Sequence, residues 1–195
     1  MHDAIERVRS LSTKRSMPLS KIISGGQTGV DRGALDAALA LSFPCGGWCP
    51  KGRRAEDGTI PLRYPVAELP GRAYRPRTKR NVQDSDGTLI IYFGDMTGGT
   101  RETLRLCERL GKPVLSIDAV VTPEAAGVKT AVDFITDNSI AVLNVAGPRE
   151  TSHAGATEYA ARFVTALLMH CATTTSRLGS VAERVGFRWD RSFPL

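Results

Sequence analysis

The chain has 195 residues and a mass of 21.0 kDa, with 42% hydrophobic and 24% charged residues, which fits one globular domain and excludes a chain disordered throughout. No apolar run reaches the roughly 18 residues of a membrane span, and an N-terminus carrying Asp3 and Glu6 lacks the apolar core of a secretory signal. The net charge is +6 with a pI near 9.4, and four scattered cysteines exclude a disulfide scaffold and fit a reducing cytoplasm.

Residues 1–20 read as a solvated tail, 21–170 as the domain and 171–195 as a C-terminal extension. Lys21 to Ser24 predicts a short buried strand that runs at once into glycines. Asp31 to Leu41 carries Ala34, Leu35, Ala38 and Leu39 at helical spacing. Phe43 to Cys49 predicts a second strand, and residues 50–75 a long loop with an extended piece at 66–69. A short helix is expected over 77–84. Thr88 to Phe93 is an uninterrupted apolar run, as in a strand covered on both faces. Thr100 to Leu110 predicts an amphipathic helix stopped by Gly111, and Val114 to Ile117 a strand. A helix follows over 123–137, with Thr122 as N-cap and Pro123 at its first position. Ile140 to Val145 predicts a strand and Gly155 to His170 a helix. Beyond Cys171 the periodicity is lost, apart from a short helical pattern at 181–185. This alternation predicts an α/β fold, a doubly wound and mainly parallel sheet with helices on both faces.

The positive charge is concentrated. Between Lys51 and Arg80 stand nine bases (Lys51, Arg53, Arg54, Arg63, Arg72, Arg75, Arg77, Lys79 and Arg80) against Glu56, Asp57 and Glu68. Nine minus three is +6, the whole of the net charge. Such a field attracts small anions. Trp48, Tyr64 and Tyr74 are not spaced as a base-stacking platform, so nucleic acid is not an expected partner. Cys45 and Cys49 lack two further ligands nearby, so no structural metal is expected.

Three strand-to-helix turns carry the chemistry, because ligands of such sheets bind beyond the carboxyl ends of the strands. The first is Ser24-Gly25-Gly26-Gln27-Thr28-Gly29-Val30-Asp31. Its glycines would admit a phosphate to backbone N–H groups at a helix start. Asp31 either caps that helix or accepts from a ligand hydroxyl. The second turn runs from Phe93 through Gly98, Gly99 and Thr100 to Thr103. The third runs from Asn144 through Gly147, Pro148 and Arg149 to Gly155, where Arg149 can grip an oxyanion and Thr151 and Ser152 add hydroxyls. Neither a Walker loop nor G-x-G-x-x-G is present.

The strings SGGQTGVDRGALDAAL, GGWCPKGRRAEDGTIP, RTKRNVQDSDGTLII, GGTRET and NVAGPRETS, in that order over residues 21 to about 170, resemble the molybdenum carrier family, similar to the YpsA-like branch of the SLOG superfamily. The resemblance implies a Rossmann-like binder of a phosphorylated pterin or nucleotide-related ligand, the molybdenum cofactor in carrier members, and assembly into dimers or tetramers. It implies ligand-loop positions at Gly25, Gly26, Thr28, Gly29 and Asp31. Further positions are Lys51, Gly52, Arg53 and Glu56, then Arg77, Thr78 and Asn81. The last are Gly98, Gly99 and Thr100, then Gly147, Pro148 and Arg149. The alternative is a nucleotide-processing hydrolase, in which Glu56, Asp57 or Glu102 would assist water. The superfamily's phosphoribohydrolases carry P-G-G-x-G-T-x-x-E, whereas Gly98-Gly99-Thr100-Arg101-Glu102 lacks the further glycine and brings the glutamate closer. That favours a non-catalytic binder. Tyr159, Phe163, Leu167 and Leu168 supply apolar surface on the 155–170 helix for a subunit interface.

Overall fold

The computed structural model describes the backbone of residues 19–184 and the side chains through Ala172. The expected tail at 1–18 and the last residues of the extension lie outside the described residues. Leu19 is already buried in the core, and Ser20 gives both its amide and its hydroxyl to the Ala141 carbonyl.

The central sheet has five strands, β1 (Lys21–Ile23), β2 (Cys45–Gly46), β7 (Gly87–Tyr92), β8 (Val114–Asp118) and β9 (Val142–Ala146). They lie in the order β2-β1-β9-β7-β8, and every pairing is parallel. Ile23 faces Asn144, which in turn faces Thr88, so β9 sits at the middle of the register. Taking β9 as the first strand turns the order into third, second, first, fourth, fifth, that of a doubly wound nucleotide-binding sheet.

The helices form two layers. Helices α1 (Val30–Ala40), α4 (Glu124–Asp137) and α5 (Ala156–Arg184) pack on one face. Their shared core joins Val30, Ala34, Ala38, Val128, Ala131, Ile135, Phe163 and Leu167 to Leu89 and Ile91 of β7. The alternation of a strand sends Thr88 and Ile90 to the other face. There α2 (Tyr74–Gln83) and α3 (Gly98–Leu110) close a smaller cluster of Val82, Leu106 and Cys107. Gly111 in the left-handed region ends α3 as expected (φ 61°).

Several elements differ from expectation. The strand over 43–49 is two: Cys45–Gly46 joins the central sheet, whereas β3 (Trp48–Cys49) leaves it and pairs with β6 (Ala67–Glu68). Gly47 makes the break, at φ 129°, where a Cβ would lie 2.0 Å from the Ser24 carbonyl oxygen. Residues 50–75 are a folded flap rather than open loop. They hold a hairpin of β4 (Arg54–Ala55) and β5 (Gly58–Thr59) and a core of their own with Cys49, Ala55, Ile60, Tyr64 and Val66 against Leu35. Helix α4 starts at Glu124 behind an extended Pro123, and no side chain caps it, so Thr122 has no capping role. Helix α5 continues to Arg184, past the point where the sequence pattern fades. Phe163, Leu167 and Leu168, expected at a subunit surface, are buried within the chain, and Tyr159 packs against the same core. Among the described residues no two cysteines are joined by a disulfide.

Helix α1 crosses α5 at Gly33. A Cβ there would lie 2.3 Å from the Thr157 carbonyl oxygen and 2.8 Å from Ala160 Cβ. Alanine gains about 1 kcal/mol of helix propensity over glycine. Backbone against backbone cannot give way, and overpacking costs about 1–3 kcal/mol. Gly33→Ala is therefore expected to lower the denaturation midpoint; a raised midpoint in urea unfolding would show that the crossing has slack.

Candidate functional site

Helix α5 leaves β9 toward one face and α3 leaves β7 toward the other, so a crevice opens between them at the carboxyl edge of the sheet. It holds a cavity of about 380 Å³, reached by all three of the turns singled out in the sequence.

The second turn presents the open helix start. Thr97 is the extended N-cap of α3 and makes no side-chain cap bond. A Cβ at Gly98 or Gly99 would meet nothing within 4 Å. The first-turn amides of a helix have no acceptor within it and carry its positive end, so this wall suits an anion.

The first turn differs from expectation in part, because the amides of residues 27–30 are already used. The Gln27 N–H donates to Asp31 Oδ2 (3.3 Å), Thr28 to Gln27 Oε1 (3.0 Å), Gly29 to Thr157 Oγ1 (3.1 Å) and Val30 to the Pro148 carbonyl (3.1 Å). Its glycines serve close approach instead. A Cβ at Gly29 would lie 2.3 Å from the Pro148 oxygen, and Gly26 packs beneath Ile60 and Val66. The turn serves the cavity through side chains. Arg77 Nη1 donates to Asp31 Oδ2 at 3.1 Å across Gly25, where a Cβ would lie 1.4 Å from that nitrogen. Burial pushes the Asp31 carboxyl up against the pull of Arg77 and the Gln27 amide.

Two buried donors beside this pair have no acceptor among the described residues, Arg77 Nε and Gln27 Nε2. Gln27 Oε1 accepts from the Thr28 and Glu56 amides, so the other end of that side chain must be the NH2 group. A buried donor left unmade costs about 1–3 kcal/mol.

Glu56 ties the turns together. Its carboxylate accepts from the Thr28 hydroxyl and the Thr151 hydroxyl (2.6 Å), and Arg149 stands 3.8 Å away. Burial would raise its pKa, but the Thr151 and Thr28 hydroxyls and Arg149 outweigh that and hold it below the ordinary value. Glu150 caps α5, accepting from the Gly155 and Thr157 amides and the Thr157 hydroxyl, with that hydroxyl lowering its pKa most. Arg149 lies over the Tyr74 ring, its Cζ 4.9 Å from the centroid, and its guanidinium donates no hydrogen bond among the described residues.

Of the residues expected at the site, Gly25, Asp31, Arg77, Thr78, Asn81, Gly98, Gly99, Thr100, Gly147, Pro148 and Arg149 line the cavity. Asn81 spends its amide on the Trp48 backbone (2.8 and 3.1 Å), and Thr78 gives its hydroxyl to the Tyr74 carbonyl. Gly26, Thr28 and Gly29 stand behind the wall. Lys51, Gly52 and Glu56 line a neighbouring shallow shelf. Arg53 is in neither place: its guanidinium donates to the carbonyls of Ile60, Pro61, Tyr64 and Val66 and holds the flap shut. Asp57 pairs with Arg32. Glu102 makes no capping box; it pairs with Arg75 (3.1 Å) and Arg109 (2.9 Å), outside the cavity, and Arg109 lowers its pKa most. Sequence reasoning did not single out Gln27, Tyr74, Asn144 or His153, all of which line the cavity. His153 stacks on Phe93 with centroids 3.8 Å apart.

Among the described residues no group of three His, Cys, Asp or Glu side chains could hold a metal ion, and no helix is long and apolar enough to cross a membrane. Residues 22–168 match the model of the circularly permutated YpsA SLOG family. The chain is also similar to a solved structure from Syntrophus aciditrophicus SB, titled "Putative molybdenum carrier protein". The two are 41% identical with a TM-score of 0.76, covering 77% of this chain and 96% of that one. No curated protein matches the chain.

Glu56 also yields a pH signature. Its folded pKa lies below the unfolded value near 4.5, so its contribution to stability is complete above that value and is lost as pH falls through the folded pKa. Glu56→Gln should cost about 1–2 kcal/mol at pH 7, since one charge-assisted acceptor becomes neutral. The gap to wild type should narrow below the unfolded pKa. A gap constant down to acid unfolding would remove the carboxylate's charge from the account.

Proposed function

The chain belongs to the circularly permuted YpsA SLOG family, and from that membership we propose that it binds a phosphate-bearing pterin or nucleotide-related ligand in the crevice between β7 and β9 and acts as its carrier. The solved relative is named as a molybdenum carrier, and the molybdenum cofactor is the cargo this reading assigns here. The observation that carries the reading is a convergence of donors. Gln27 and Arg77, each with a buried donor that has no acceptor among the described residues, line one cavity with the open start of α3 and Arg149. These groups suit oxygen atoms bearing negative charge. A molybdenum centre would be held through its cofactor's oxygens, by hydrogen bonds.

Binding is favoured over hydrolysis for a reason of geometry and of pKa. A general base must reach the reacting atom and titrate near the working pH. Glu56 is held below its ordinary value by partners on both oxygens, and Glu102 is engaged by two arginines outside the cavity. The carboxyl raised above its ordinary value, Asp31, is locked to Arg77.

Titration calorimetry with AMP and with a phosphorylated pterin tests the reading. Arg149→Ala should weaken both by about tenfold or more, the loss of a charge-assisted hydrogen bond, and leave the unphosphorylated analogues unchanged. Glu102→Gln should leave affinity unaltered, and no free base should accumulate from AMP in either protein. Equal losses for phosphorylated and unphosphorylated probes would refute the phosphate clamp. Steady release of free base, abolished by Glu102→Gln or Glu56→Gln, would establish the hydrolase.

A further inference from the structure

A second cationic surface adjoins the crevice. Lys51, Arg54 and Arg72 line the shelf on the hairpin side of the flap, together with Glu56. None of the three cations forms an ion pair among the described residues. The nearby carboxylates are occupied: Glu56 by Thr28 and Thr151, Asp57 by Arg32, and Glu68 by the Gly52 amide. The three cations outnumber the two acids at the shelf, Glu56 on its lining and Glu68 on the Gly52 amide, and an anion relieves the repulsion that remains.

The shelf is also built rather than incidental. Arg53 holds a left-handed backbone (φ 51°), a conformation that is strained for a residue with a Cβ. Four carbonyl hydrogen bonds from its own side chain over-determine that conformation. With Arg53 turned inward, its neighbours Lys51 and Arg54 border the shelf. Gly52 and Gly58 leave its floor bare, with nothing within 4 Å of where a Cβ would stand.

Shelf and crevice share a wall. Glu56 lines the shelf, while its oxygens meet Thr151 and Arg149, which line the crevice. Tyr74, also in the crevice, lies under Arg149 from that side and under Arg54 from the shelf, with Cζ-to-centroid distances of 4.9 and 5.6 Å.

We propose that Lys51, Arg54 and Arg72 form a second anion subsite, so that the ligand carries two phosphates, one in the crevice and one on the shelf, as a diphosphate or dinucleotide does. The proposal rests on the phosphate-binding reading above. The step from one phosphate to two is what separates their tests.

ADP and AMP are the probes, titrated into wild type and into Arg54→Gln/Arg72→Gln, which keeps much of each side-chain stem. In wild type ADP should bind about tenfold tighter than AMP, as expected of added charge-assisted hydrogen bonds. In the double variant most of that advantage should vanish, with AMP affinity unchanged and the melting temperature of the apo-protein preserved. High ionic strength should narrow the ADP advantage in wild type. Equal affinity for ADP and AMP in wild type would overturn the subsite and leave the single-phosphate reading standing. Equal weakening of both probes in the double variant would overturn it too, since the lone phosphate would then sit on the shelf. Absence of binding by either probe to wild type would sink the phosphate reading and the subsite with it.

Discussion

The ion pair between Asp31 and Arg77 holds the two halves of the molecule to one geometry. Asp31 stands on α1, in the layer shared with α4 and α5; Arg77 stands on α2, in the opposite layer. Their contact passes over the carboxyl edge of β1 and forms part of the crevice wall. Both side chains are nearly out of water, with 7% and 13% of their surface exposed. Charges so placed gain little net stability, because desolvation offsets attraction, yet removal of one partner strands the other at a cost of about 3–5 kcal/mol. The pair therefore fixes position more than it adds stability. Gly25 is the residue that permits it, since any Cβ there would occupy the place of the guanidinium.

The basic segment shows how the same residue type divides between structure and ligand. Arg53 closes the flap with four carbonyl bonds, Arg77 buries against Asp31, Arg80 pairs with Asp84 and Arg75 with Glu102. Arg63 pairs with Asp36, and among the described residues Lys51, Arg54, Arg72 and Lys79 form no ion pair; the first three line the shelf. Local charge in the sequence counts cations but cannot say which are spent internally. The surplus predicted an anion field, and three of its cations without an ion pair among the described residues gather on one shelf.

Much of the fold was legible because long elements carry a period. The apolar run at Thr88–Phe93 and the helical spacing at 31–41 each sit within a residue or two of β7 and α1. The flap was not legible, because its strands are two residues long and its core is closed by an arginine. No period can be read from two residues. The glycine turns were legible as close approaches but not as to what approaches. At Gly29 it is the Pro148 carbonyl, at Gly25 it is Arg77, and at Gly98 and Gly99 it is open space. The same letter in the sequence serves all three.

The order of strands explains why one crevice gathers turns so distant in the chain. Binding at a doubly wound sheet depends on which strands are neighbours and on which face their helices leave, not on which strand the chain visits first. Here β1 precedes β9, yet α1 and α5 still share a layer and α3 still departs the other way. A permutation that keeps those departures keeps the crevice, provided the turn after the relocated strand is anchored. That anchoring falls to Glu150 and Glu56. Glu150 fastens the start of α5, and Glu56 reaches from the flap to tie Thr151 to Thr28. Those same hydroxyls lower the pKa of both carboxylates, so the bond that positions each turn also favours the charged form of its acid.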